Sequence, residues 1–179
     1  MAVSSRLGSI SRVMAVLSAI GAAIQPVALT YIFLDPGHSK WLMFDVENVG
    51  DALNAGIPLA NRLMALGCAL FAEAFTVWAL WSLCRLFLLY ARGEVFTRGA
   101  LRQLNHVALA LVGGVIAGFV MRVPMTAALS WPLGHGHRYI SLSFGTGDVA
   151  TLFMAGVVLV IVRVMAQASA LADENAKFV

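Results

Sequence analysis

From Val13 to Leu34 the chain carries no charged side chain, and apolar residues fill nearly every position. At 1.5 Å per residue such a run makes a helix long enough to cross a hydrocarbon core of about 30 Å. Away from water only a helix or a closed barrel keeps its own backbone hydrogen-bonded, which leaves few other folds open. Three more segments of the same kind follow: Arg62 to Tyr90, Leu104 to Val123 with a continuation to Trp131 beyond Pro124, and Val149 to Ala172. The sequence therefore predicts a single all-α domain over residues 1–179, an integral membrane four-helix bundle with up-down topology.

Composition decides between lipid and water as the covering of these helices. Sixty per cent of the 179 residues are apolar and 12% are charged, whereas soluble chains average about 25% charged residues. A water-exposed surface would need far more Lys, Glu, Asp and Arg. Arg6 and Arg12 before the first apolar run give it the grammar of a secretion signal, but the run exceeds the usual core of about 7 to 15 residues and is expected to stay as a helix. Pro26, next to Gln25, is expected to kink it.

The connecting segments give the orientation. Asp35 to Asn61 is polar and turn-rich, with Asp45, Glu47 and Asp51 making it locally acidic, and its Trp41-Leu42-Met43-Phe44 cluster suits a short amphipathic helix at headgroup level. Ala91 to Arg102 is the most basic stretch of the chain. With both termini inside, eight cations (Arg6, Arg12, Arg85, Arg92, Arg98, Arg102, Arg163, Lys177) lie on the cytoplasmic side and four (Lys40, Arg62, Arg122, Arg138) on the other. Positive-inside bias selects that arrangement, with the last helix extended into the cytoplasm. The net charge of +3 comes from scattered arginines, with none of the dense basic footprint that direct nucleic-acid binding requires. Cys68 and Cys84 share one predicted helix about 24 Å apart and cannot form a disulfide.

Glu73 falls near the middle of the second span, where an ionised carboxylate costs several kcal/mol unless paired, hydrated or protonated. Arg122 on the third span is one partner, giving an intramembrane Glu73–Arg122 pair. A protonated carboxyl bonded to a helix carbonyl, and a proton- or ligand-binding group in a polar cavity, are the alternatives. Gln25, Thr76 and Ser82 extend a polar seam only if their helices face Glu73. Gly114-x-x-x-Gly118, widened by Gly113, permits close helix approach, within the bundle or between two copies. His135 and His137, with His38 in the first loop, are too few for a usual metal site and read as solvated; His106 reads as an interfacial side chain. No metal, cofactor or catalytic residue is expected, since no phosphate-binding loop, zinc-binding helix or nucleophile elbow occurs. Between the second and third spans, Gly93 is placed to end one helix in a left-handed cap and Thr97 to cap the next.

Two stretches, Tyr90-Ala91-Arg92-Gly93-Glu94-Val95-Phe96-Thr97 and the terminal Leu171-Ala172-Asp173-Glu174-Asn175-Ala176-Lys177-Phe178-Val179, carry a likeness. Together with the four-span layout they resemble bacterial membrane proteins grouped as the domain of unknown function DUF 2975, over nearly the whole chain. That resemblance implies a multi-pass protein of the bacterial plasma membrane. It also implies a small helix-turn-helix regulator as a cytoplasmic partner, because members are commonly encoded beside one. The expected function is a non-enzymatic regulatory or scaffolding membrane protein. Its docking surface is the connector (Arg92, Gly93, Glu94, Phe96, Arg98) with the tail (Glu174, Asn175). The alternatives are a small-solute or proton pathway centred on Glu73 and Arg122, formed by one copy or by a homo-oligomer, and an accessory subunit of a larger membrane complex.

Overall fold

A computed structural model describes residues 2–35, 56–95, 97–133, 140, 142 and 144–175, with side chains described only between 8 and 168. Four helices run in chain order: α1 (Ala2–Leu34), α2 (Leu59–Ala91), α3 (Arg98–Ser130) and α4 (Thr146–Asn175), with one turn of tighter helix, Trp131–Leu133, after α3. Segments Gly8–Leu34, Leu59–Ala91, Arg98–Ser130 and Thr146–Ala168 are long and apolar enough to cross a membrane. The protein is a multi-pass membrane protein of helical-bundle type.

Each helix outruns the apolar segment that announced it. α1 begins at Ala2 and includes the polar stretch around Arg6 and Arg12, and it continues without interruption through Pro26. α3 likewise runs unbroken through Pro124 to Ser130, which fixes the far end of the third span. Hydroxyls inside both helices bond back one turn: Thr30 Oγ1 donates to Pro26 O at 2.7 Å, and Thr126 Oγ1 donates to Arg122 O at 2.8 Å. Such bonds satisfy the hydroxyl where no water is available.

The helices pack as antiparallel neighbours in sequence order, α1 on α2, α2 on α3 and α3 on α4, while α4 makes no more than marginal contact with α1. The bundle is therefore open along one side. Small side chains build the contacts: Ala65, Ala108 and Ala155 are fully buried. That matches helix association in lipid, where close backbone approach replaces the hydrophobic driving force. A larger cluster joins Ile32, Phe33, Ile57, Leu66 and Leu129 at the end of the bundle remote from the α2–α3 connector. There Asn61 Nδ2 donates to Ala128 O at 2.8 Å, tying the start of α2 to the end of α3. Outward faces are apolar, with Val27 69% and Phe153 70% exposed, as lipid contact requires.

The expected headgroup-level helix at Trp41 to Phe44, the loop histidines His38, His135 and His137, Phe96 and everything after Asn175 lie outside the described residues. So do the side chains of Glu174 and Asn175.

Candidate functional site

The α2–α3 connector is built from two caps. Gly93, at φ +83°, takes the left-handed conformation that a residue with a Cβ adopts only at a cost. Around it Gly93 N–H donates to Tyr90 O and Glu94 N–H to Leu89 O, each at 3.0 Å. This pair of bonds closes a helix end with its last carbonyls satisfied. Three residues on, Thr97 Oγ1 accepts from Ala100 N–H at 3.3 Å and starts α3. The turn is thus capped on both sides, and from it the side chains of Arg92, Glu94, Arg98 and Arg102 stand exposed. The start of α1 reaches the same end: a Cβ on Gly8 would lie 3.6 Å from Ala91 O.

Arg122 and Asp148 hold α3 and α4 together at the other end. Arg122 Nη2 lies 3.2 Å from Asp148 Oδ2, with both side chains only partly exposed. Asp148 Oδ2 also accepts from Gly145 N–H at 2.9 Å, closing the first turn of α4. A carboxylate there meets the positive end of the helix dipole as well as the guanidinium. Hydropathy alone does not single out Asp148; the signal that does is an acid three residues after Gly145, in the first turn of an apolar helix. Counting equal numbers of residues along the two antiparallel helices from this pair brings Ala172 level with Arg98, so the end of α4 and the connector share one end of the bundle.

The structure does not bring Glu73 and Arg122 together. Asn61 against Ala128 and Phe75 against Gly113 fix the register of α2 on α3. Glu73 then falls level with about Val115, and Arg122 lies roughly 10 Å further along the axis. Arg122 is engaged by Asp148 instead. Glu73 Oε1 is buried with no hydrogen-bond partner, and so is Gln25 Oε1 on α1. Of the other expected seam residues, Ser82 is buried and Thr76 is exposed.

Gly113 makes the closest approach of α3 to α2, since a Cβ there would sit 2.6 Å from the Phe75 ring. Gly114 is in ordinary contact with Phe75 Cβ at 3.5 Å, while a Cβ on Gly118 would meet nothing within 4 Å. The packing patch is thus Gly113–Gly114, and Gly118 faces open space. His106 rests against Trp78, ring centres 5.8 Å apart, and the Arg85 guanidinium lies 5.6 Å from the Trp81 ring centre, near the connector. Among the described residues no group of three or more His, Cys, Asp and Glu side chains is placed to hold a metal ion.

A family model described as Protein of unknown function (DUF2975) matches residues 33–179, from the end of α1 through α4. No curated protein and no solved structure matches the chain.

Proposed function

This chain belongs to the DUF2975 family, and from that membership we propose a non-enzymatic regulatory or scaffolding protein of the bacterial plasma membrane that docks a cytoplasmic protein. Both termini and the α2–α3 connector face the cytoplasm, an orientation supported by the eight cations gathered at that end against four at the other. The partner is a small helix-turn-helix regulator of the kind the family likeness implies. The observation that carries the reading is the doubly capped connector. A turn fixed by Gly93 and Thr97 presents Arg92, Glu94, Arg98 and Arg102 from a rigid corner, and α4 delivers the Asp173 to Val179 tail to the same end. Preorganised polar groups lose little entropy on binding, which is what a recognition surface gains from such caps.

Gentle affinity purification of the full chain, followed by mass spectrometry of intact complexes, tests it. The expected result is a small soluble partner that is lost when Asp173 to Val179 is deleted and when Arg92 and Arg98 are both changed to Glu. Retention of every partner by both variants refutes the docking role. Large co-purifying membrane proteins would instead favour an accessory subunit, and solute flux in proteoliposomes that Glu73→Gln abolishes would favour a pathway.

A further inference from the structure

Glu73 and Gln25 have no part in the docking surface, yet each buries an oxygen, Oε1 in both cases, with no hydrogen-bond partner. Their helices face each other. Gly8 of α1 lies beside Ala91 O, and Gly21 beside Leu80 of α2, which sets the antiparallel register. Equal counts along the two helices bring Gln25 to within one to three residues of the level of Glu73, roughly 2 to 5 Å along the axis. Gln25 is one turn from Gly21, and Glu73 is two turns from Leu80. The Glu73 stripe also contains Leu66, which packs with Ile32 and Phe33 of α1. Register and stripe thus place both orphaned oxygens on the α1–α2 interface, within about one turn of each other, near the middle of α2.

Among the described residues no countercharge serves that place. On α1 there is no charged residue between Arg12 and Asp35, and Tyr31 is the titratable side chain of that stretch. On α2 the nearest charges are Arg62 and Arg85, each about three turns away, and Cys68 and Cys84 are thiols. On α3 the stretch between Arg102 and Arg122 holds His106, which rests on Trp78, and Arg122 itself is engaged by Asp148. An ionised carboxylate here would be a buried charge without a partner, which costs several kcal/mol. A carboxylic acid, by contrast, has an O–H donor, and the amide oxygen of Gln25 is an acceptor. Two acceptors that share an interface and lack a donor are both satisfied by one hydrogen.

We propose that Glu73 is a proton-binding site: at neutral pH it holds its proton and donates it to Gln25 Oε1, making an uncharged acid–amide clasp between α1 and α2. The clasp is a polar link in a setting where interhelical hydrogen bonds supplement packing. It is independent of the docking surface, and its failure would leave that reading untouched.

Infrared difference spectroscopy of the full chain in lipid bilayers at neutral pH tests it. Subtracting the Glu73→Gln spectrum from that of the native chain is expected to leave the C=O stretching band of a protonated carboxylic acid. In Gln25→Leu the same band is expected at higher frequency, because the acid has lost its acceptor. Carboxylate bands in the difference spectrum would overturn the proposal, since they would mean that Glu73 is ionised and the Gln25 amide is turned to donate to it. A band unmoved by Gln25→Leu would overturn the clasp. Should Glu73→Gln fail to fold, a hydrophobic carbodiimide decides the matter on the native chain alone. The acid's proton passes to a carbodiimide nitrogen while the carboxyl oxygen bonds to the central carbon, and the adduct rearranges to a stable N-acylurea. Modification mapped to Glu73 is expected, and an unmodified Glu73 overturns the site.

Discussion

Substituting alanine for Gly113 isolates the packing between α2 and α3. The added Cβ would sit 2.6 Å from both Cδ1 and Cε1 of Phe75, where ordinary contact begins near 3.4 Å, so the ring or the helix must retreat by about 1 Å. Retreat is hindered on the same helix, because Phe75 stands edge-on to Phe71 at 6.1 Å between ring centres and against Trp78 at 6.4 Å. Overpacking of this kind costs about 1 to 3 kcal/mol. Replacing Gly by Ala inside a helix also gains about 1 kcal/mol of helix propensity, which would obscure the cost in a single variant. Gly118→Ala removes that ambiguity, since it sits on the same helix with nothing within 4 Å of its Cβ position. The difference between the two variants, expected at roughly 1 to 3 kcal/mol with Gly113→Ala the less stable, is therefore the packing term alone. Unfolding in mixed micelles of increasing SDS fraction, followed by circular dichroism, measures it. In a Phe75→Ala background the difference should fall below about 0.5 kcal/mol, as expected once the contact that couples the two sites is gone. Equal stabilities of Gly113→Ala and Gly118→Ala in the native background would refute the reasoning.

Other perturbations test the two ends of the bundle. A double-mutant cycle on Arg122→Ala and Asp148→Ala should give a coupling of roughly 1 kcal/mol, the Asp148→Ala change also removing the bond to Gly145 N–H; a coupling near zero would mean that the pair does not hold α4. Gly93→Ala should destabilise by about 1 kcal/mol or more, since alanine must be held at φ +83°. Thr97→Ala should cost about 1 kcal/mol through the lost cap on α3. The same SDS titration reads both, and wild-type stability in either variant would mean that the connector is not the rigid corner described above.

What the sequence disclosed and what it withheld divide along a physical line. Spans and connector depend on local quantities, namely hydropathy and the residue types that end and start helices, and so Gly93 and Thr97 were legible without coordinates. The start of α1 was not: the segment around Arg6 and Arg12 is polar, yet the helix runs through it and Gly8 lies against Ala91 O. The continuation of the third span past Pro124 was legible as well, and α3 passes through that proline to a buried Leu129. Partners of intramembrane polar groups depend on register, which hydropathy does not carry. Arg122 was matched to Glu73 by approximate depth, whereas the register puts it nearer the first turn of α4 and its Asp148 carboxylate. Glu73 and Gln25 came into one interface only once the glycine contacts of α1 on α2 had set their levels.

The open side of the bundle follows from the solvent that surrounds it. α4 packs on α3, and its anchors are gathered near its beginning: the Arg122–Asp148 pair, the Phe119–Phe144 ring contact just before the helix, and Ala155, which is fully buried. Beyond Ala155 no described side chain of α4 is buried. In water a helix so exposed would have to find more cover, but lipid solvates Val160, Ile161 and Val164 as well as protein does, so there is no hydrophobic penalty to force closure. Between Ala155 and Ala168 α4 therefore rests against lipid rather than on buried side chains of its own, which is why the bundle can stay open there.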